Sequence, residues 1–143
     1  MSLNGSGLNG SGLNGSGSNG STPIQLNVLG NPIIECSKDP ITGFFRNGNC
    51  STSPDDIGSH TVCAQVTREF LEFSKVTGND LSTPNPQFGF QGLQPGDYWC
   101  VCAPRWKQAL DANCACPIRL ESTHIGALQY IDLVDLRRHA IKD

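Results

Sequence analysis

The segment Cys100-Val101-Cys102 carries the residue types best suited to chemistry in this chain. On a regular strand, residues two apart point to the same side with their Cβ atoms roughly 7 Å apart, whereas a disulfide needs about 3.5–4.5 Å. The two thiols are therefore not expected to bond to each other. Both can lean toward one zinc ion, because zinc–sulfur bonds are about 2.3 Å long. The favoured interpretation is simpler: both are small buried residues of a strand.

Three further cysteines, Cys36, Cys50 and Cys63, are candidates to complete a metal or redox site with this pair. They show neither the CxxC nor the HxxxH spacing that is typical of zinc sites. The chain has seven cysteines, an odd number that cannot pair completely within one chain. Since no pattern of a secretory signal accompanies them, we expect reduced thiols.

Two histidines stand at the edges of predicted elements, His60 before a strand and His124 before a helical turn. Either can act as a ligand or as a general base, although capping or tying down a loop is the favoured interpretation. A nucleophilic cysteine–histidine pair would join one of them to Cys63 or Cys102. The sequence does not show which of these side chains meet.

Acidic residues in the loops and one arginine complete the candidate ligand-binding set. Asp56 and Asp80 lie in Gly/Pro-rich segments, where aspartates often bond to nearby backbone. Arg105 is predicted at a helix N-terminus, where a cation is unfavourable unless an anion is near. We expect that anion to be a carboxylate, Glu121 or Asp80, in preference to a bound ligand. The candidate ligand-binding residues are Asp56, His60, Asp80, Arg105 and His124.

Hydrophobic periodicity predicts the elements that must position these side chains. Strands are predicted at 24–29, 61–66, 98–103 and 117–121, and helices at 68–77, 105–112 and 133–140. The predicted N-caps are Thr67, Thr123 and Asp132. The strand at 98–103 is apolar on both faces, which predicts a central position in the sheet. The expected fold is α+β, a small mixed or antiparallel sheet with two to four short helices and long ordered loops.

The ends of the chain differ in composition. Residues 1–22 contain three copies of Leu-Asn-Gly-Ser-Gly and are predicted to be a disordered tail or linker, which leaves 23–143 as one globular domain. The formal charge is −3 and the basic residues are scattered, so we expect no nucleic-acid partner. No apolar stretch approaches the roughly 18 residues of a membrane span. We therefore expect a soluble, cytoplasmic protein.

Several motifs occur in a fixed order: Asn27-Val-Leu-Gly30, Ser59-His-Thr-Val-Cys-Ala64, Gly78-Asn-Asp-Leu-Ser-Thr-Pro84, Pro95-Gly-Asp-Tyr-Trp-Cys-Val-Cys-Ala103 and Glu121-Ser-Thr-His124. Together they closely resemble a bacterial family of uncharacterised proteins, the domain of unknown function 2237. The resemblance covers residues 26–140 and implies a compact α+β fold, but no activity. Cys114 and Cys116 depart from the family pattern, so no shared function is assigned to them.

Three hypotheses for the function remain. The preferred one is a small binding module whose polar loops form a pocket for a small anionic ligand or a partner segment. The second is a metal- or thiol-dependent site, enzymatic or not, built on Cys63, Cys100 and Cys102 with a histidine, with zinc as the metal. The third is a purely structural or interaction domain. The sequence leaves open whether the protein is an enzyme, since it has no Walker loop, GxSxG elbow or HExxH helix.

Overall fold

A computed structural model of the protein describes residues 24–142. Within that range the chain forms two strands, β1 (His60–Gln65) and β2 (Tyr98–Cys102), and three α-helices, α1 (Arg68–Val76), α2 (Ala103–Asp111) and α3 (Leu133–Arg138). Short 3₁₀ helices span Pro86–Phe88, Leu120–Ser122 and Ile125–Gln129. The predicted α+β class is confirmed. The predicted tail at 1–22 lies outside the described residues.

The two strands pair antiparallel, and their register sets which reactive residues face each other. Cys63 is the partner of Cys100, and at the end of the ladder His60 is the partner of Cys102. The register shifts between His60 and Val62. Such an irregularity bends a strand and changes the direction of its side chains. The sheet therefore holds two separate pairs of chemically active residues.

Two of the predicted strands do not form within the described residues. The segment 24–29 makes only isolated bridges, one of which joins Leu26 to Pro32. The segment 117–121 likewise contributes only Ile118, which bridges to β1 and to the end of the chain. The first segment ends in a turn at Gly30, whose φ is 85°, and Asn27 N donates to the carbonyl of Asn31 within that turn and not to a neighbouring strand.

The predicted central position of β2 is also wrong, because within the described part of the chain β2 pairs with β1 alone. The loop before β1 covers its other edge, where Thr42 Oγ1 accepts a hydrogen bond of 2.9 Å from the backbone N–H of Cys100. The apolar character of both faces therefore reflects burial under loops and helices, not a further strand.

The helices begin close to where the sequence predicts. Thr67 caps α1, its hydroxyl oxygen accepting a hydrogen bond of 3.1 Å from Phe70 N. Pro104 stands in the first turn of α2, where its fixed φ suits a helix and its missing N–H is no loss. Asp132 occupies the N-cap position of α3, although its side chain makes no capping hydrogen bond. The cap predicted at Thr123 is wrong, because the adjacent His124 takes that role.

The core lies between the sheet and the helices. Its largest fully buried side chains are Phe70, Leu93, Trp106, Ile118, Ile131 and Leu136. Trp106 also satisfies its indole N–H, which donates to the carbonyl of Cys116 at 3.1 Å. No helix among the described residues is long and apolar enough to cross a bilayer.

Two disulfides join the long loop before β1 to the sheet. Cys36 is bonded to Cys63 of β1, and Cys50 is bonded to Cys100 of β2. The expectation of reduced thiols is therefore wrong for these four residues. The strand register places two cysteines side by side, and the loop lays the other two over them. Each bond of this kind stabilises a fold by typically about 2–4 kcal/mol.

The three remaining cysteines differ in how open they are to reagents. Cys102 and Cys114 are partly exposed, whereas Cys116 is buried and its burial raises the pKa of its thiol to about 12. In unreduced native protein we expect Ellman's reagent to modify Cys102 and Cys114 but not Cys116. Denaturation without reductant should raise the total to three thiols, and prior reduction should raise it to seven. More than three in unreduced, denatured protein would contradict the two disulfides.

Candidate functional site

An open cavity of about 560 Å³ lies between β2 and the loops that precede β1 and follow α1. Its apolar wall includes the aromatic rings of Phe44, Phe88, Phe90 and Trp99. Its polar lining consists of Arg46, His60, Asn79, Asn85 and Cys102. A volume of this size, with a largely apolar wall and a few converging polar groups, is typical of small-molecule sites.

Trp99 is the centre of the aromatic wall. The Phe90 and Trp99 rings are tilted against each other with centroids 5.4 Å apart. The Arg46 guanidinium carbon lies 5.1 Å from the centroid of Trp99, a cation–π distance. Phe88 is 80% exposed, so its ring stands at the cavity rim with most of its surface unpaired. The cavity therefore offers flat apolar surface beside a cation.

Arg46 is held by its own loop. Its Nη1 donates to the carbonyl of Gly43 at 2.8 Å. Gly43 adopts a φ of 101°, and a Cβ there would collide with the backbone carbonyl of Asn49, so this turn requires glycine. Among the residues that the structure describes, no carboxylate lies within salt-bridge distance of Arg46. The guanidinium keeps free donors and an unneutralised charge at the cavity.

His60 and Asp56 form the most strongly constrained polar pair near the cavity. The Asp56 side chain is fully buried, whereas that of His60 is 42% exposed. Asp56 Oδ1 lies 2.6 Å from His60 Nδ1, and Oδ2 accepts from His60 N and Thr52 Oγ1, each at 2.9 Å. A carboxylate at Nδ1 fixes the proton there and leaves Nε2 as the acceptor. The imidazole also packs over Gly58, where a Cβ would lie 2.8 Å from its Cε1.

Cys102 stands opposite His60, at the junction of β2 and α2. Both residues line the cavity, and Cys102 occupies the N-cap position of α2. Burial raises the pKa of the Cys102 thiol, and the charge of Asp56 adds to that effect. The backbone N–H and guanidinium of Arg105 act in the opposite direction. The resting thiol is therefore protonated at neutral pH and needs a base to become a nucleophile.

His124 is a structural residue that also lies within reach of the charge of Asp56. Its Nδ1 accepts a hydrogen bond of 2.9 Å from Gly126 N and so caps a 3₁₀ helix. Burial lowers the pKa of His124 to about 4, and the charge of Asp56 only partly opposes that effect. His124 is not among the side chains that line the cavity.

The remaining two predicted ligand-binding residues are Asp80 and Arg105, and both form hydrogen bonds to neighbouring groups of the protein. Asp80 accepts from the Thr83 hydroxyl at 2.6 Å and from two backbone amides, contacts that lower its pKa. Arg105 Nη1 donates to the carbonyl of Thr77 at 2.9 Å and so ties the end of α1 to α2. The carboxylate partner predicted for Arg105 is therefore wrong, since its main acceptor is a backbone carbonyl.

The sulfur atoms of the disulfides form a buried cluster apart from the cavity. The Sγ atoms of Cys36, Cys50 and Cys100 lie within 4.8 Å of one another, and Cys63 is bonded to Cys36. Cys102 is not part of this group. The structure therefore separates Cys100 from Cys102, which the sequence placed in one metal site. As disulfides, Cys63 and Cys100 offer no thiolate to a metal.

The sequence indicates Asp56, His60 and Cys102 as candidates, but it does not indicate the aromatic wall or Arg46. Phe44, Phe88 and Phe90 look like anchors that tie loops to the core, because a loop aromatic is usually buried. Arg46 offers one signal, since it is a lone cation in a loop beside aromatic residues. The contact between Arg46 and Trp99 joins residues that are far apart in the chain, so no local sequence pattern predicts it.

Comparison with known proteins gives a family but no activity. The sequence profile of a family described as "uncharacterized protein conserved in bacteria (DUF2237)" matches residues 26–140, and so spans both strands, all three α-helices and the cavity. No curated protein matches the chain.

The lowered pKa of His124 predicts a pH-dependent stability. Between pH 6.5, its ordinary pKa, and about 4, the unfolded chain binds a proton at His124 that the folded chain does not. The contribution of neutral His124 to the free energy of unfolding is therefore present in full above about pH 6.5 and is lost as the pH falls. About 2 kcal/mol of it is lost at pH 5. His124→Asn should flatten this dependence, because its amide oxygen can still cap Gly126 but cannot be protonated. Urea unfolding at pH 7.5 and 5 measures the difference, with His139→Asn as control. Equal pH dependence in wild type and His124→Asn would contradict the assignment.

Proposed function

This chain belongs to the bacterial family whose profile matches residues 26–140, and from its own geometry we propose that it is a binding module for a small ligand carrying a flat apolar group and an anionic group. The observation that carries the proposal is the cavity, in which an aromatic wall and an unneutralised guanidinium face the same space. The ligand's ring would lie against Phe88 and Phe90. Its anionic group would meet Arg46.

The apolar half of the proposal follows from exposed aromatic surface. A ring that enters beside Phe88, which is 80% exposed, would cover part of that aromatic surface and gain stacking contacts worth about 0.5–1.5 kcal/mol beyond the burial of area. The cavity volume suits a small molecule better than a strand or helix of a partner protein.

The anionic half follows from the charge of Arg46. The protein carries a formal charge of −3, so attraction of an anion depends on a local cation and not on the overall field. A planar guanidinium binds a carboxylate or phosphate through two parallel hydrogen bonds. Asn79 and Asn85 add amide donors along the same lining.

A second candidate function uses the sulfur cluster in its reduced state. Four thiolates from Cys36, Cys50, Cys63 and Cys100 would supply the tetrahedral Cys₄ set that structural zinc prefers. Arg119 lies beside them, donating from Nη1 to the carbonyl of Cys36 at 3.4 Å, and its charge would offset the excess negative charge. Zinc is therefore the proposed metal, in place of the predicted site that included Cys102.

The choice between disulfides and zinc depends on the compartment. Disulfides persist in oxidising locations and are rare in the cytoplasm. The two disulfides therefore support an oxidising location over the cytoplasmic one predicted from sequence, whereas a zinc-bound protein would suit the cytoplasm.

The ligand proposal can be tested with 2-naphthoate and its neutral isostere 2-naphthalenemethanol as probes. We expect 2-naphthoate to shift the amide resonances of Trp99, Phe90 and Arg46 in an NMR titration. Arg46→Gln should weaken 2-naphthoate binding about tenfold, the loss of one charged hydrogen-bonded contact. The same variant should leave the alcohol unaffected. Arg68→Gln, which removes an exposed cation on α1, is the matched control. Shifts absent from the cavity, or equal losses for both probes, would overturn the proposal.

The zinc candidate predicts metal uptake only after reduction. Protein reduced with a phosphine and given one equivalent of zinc should retain it through gel filtration. Cobalt in its place should give the intense absorption of tetrahedral thiolate ligation. Cys36→Ser should abolish retention, and Cys116→Ser should not, because Cys116 is outside the cluster. Retention of less than about a tenth of an equivalent in reduced wild type would exclude the site.

A further inference from the structure

The polar end of the cavity contains a cysteine, a histidine and an aspartate in a connected order. Asp56 is bound to His60 Nδ1, and His60 is the cross-strand partner of Cys102. Cross-strand partners are neighbours in a sheet, and both side chains line the same cavity, which places an imidazole and a thiol beside the same space. Both side chains line the cavity, so the sulfur is open to a ligand there.

We propose that Cys102 is a nucleophile activated by His60, with Asp56 as the positioning residue, and that the cavity acts on small activated acyl compounds such as esters or thioesters. This inference rests on the proposed function, because the aromatic wall would hold the acyl compound. It goes beyond that function by assigning a covalent reaction. A nucleophile, a base in contact with it and a third group that orients the base are the parts that such catalysis requires.

Each component has a structural reason for its role. Asp56 is fully buried and accepts three hydrogen bonds, two of them from His60, so the imidazole is fixed at both its backbone and its ring. Its Nε2 is left as the proton acceptor. Cys102 occupies the N-cap position of the nine-residue helix α2, whose partial positive charge stabilises a thiolate once it forms.

The reaction balances without a cofactor or oxidant. His60 Nε2 takes the thiol proton while Cys102 Sγ bonds to the carbonyl carbon, and the carbonyl π electrons move to oxygen. Collapse breaks the bond to the leaving oxygen or sulfur, which takes the proton from His60. Water then attacks the acyl–sulfur intermediate, His60 accepting its proton and returning a proton to the departing sulfur. The net reaction is an ester and water giving an acid and an alcohol, or a thioester and water giving an acid and a thiol.

The other cysteines and histidines cannot substitute for this arrangement. Cys63, the other cysteine that the sequence offered for a nucleophilic pair, is in a disulfide. The Nδ1 of His124 accepts a hydrogen bond from Gly126 N, and His124 is not among the residues that line the cavity. Cys114 is free and partly exposed, but it is absent from the cavity lining. Cys114 therefore serves as a matched control thiol.

The test uses 4-nitrophenyl acetate with the whole unreduced protein. We expect a burst of one equivalent of nitrophenolate and an acetyl group on Cys102, located by peptide mass spectrometry. Cys102→Ala should abolish the burst and Cys114→Ala should not. His60→Ala should slow acylation about 100-fold or more at neutral pH, and added imidazole should restore part of the rate. The rate of His60→Ala should also keep rising with pH beyond the ordinary pKa of a thiol, as expected for an unassisted thiol whose own pKa is raised by burial.

These outcomes separate the inference from the binding proposal. Acylation that falls on Cys114, or that is equally fast in His60→Ala, overturns the assignment of Cys102 and His60. If 2-naphthoate binds wild type and Cys102→Ala alike but no acetyl enzyme forms, the pocket stands and the nucleophile is excluded. Asp56→Asn should reduce the rate while circular dichroism stays unchanged. Should that variant unfold, imidazole rescue of His60→Ala decides the question alone.

Discussion

The pairing of two short antiparallel strands is the constraint on which the rest of this structure depends. A two-stranded ribbon is marginally stable by itself in water, so it must be covered on both faces. Here the helices cover it together with a long loop, which is bonded to each strand through one disulfide. The register then has two consequences: Cys63 meets Cys100 inside the sulfur cluster, and His60 meets Cys102 at the cavity. A shift of one residue would lose both pairs.

The loop before β1 belongs to the site as much as to the scaffold. It brings Arg46 over Trp99, supplies Thr42 to the free edge of β2, and buries Asp56 against the start of β1. The two disulfides limit how far this loop can move from the sheet. Its polar groups are therefore held in place before any ligand arrives, which lowers the entropy cost of binding.

The sequence predicts correctly those features that depend on interactions between near neighbours in the chain. The cap at Thr67 and Pro104 in the first helical turn place α1 and α2 correctly, because both signals act within one turn. Alternating hydrophobicity predicts strands at 24–29 and 117–121, but a strand needs a partner, and a local pattern does not encode one. The sequence offers Asp56, His60 and Cys102 as candidates by residue type alone. Their proximity follows from the strand register and from loop packing. The disulfides depend on the same long-range contacts, whereas the odd number of cysteines and the presumed compartment predict reduced thiols.

The disulfide between Cys50 and Cys100 also has a mechanical meaning. It closes a sequence separation of 50 residues with one covalent bond, so tension applied to the two ends of the chain passes from Cys50 directly to Cys100. Because Cys36 is bonded to Cys63, the segments 37–49 and 51–62 share the load between that disulfide and Cys50, whereas the segment 64–99, which contains α1, lies outside the load path. In the oxidised protein a pulling force would extend the flanking segments first, while α1 bears no direct load.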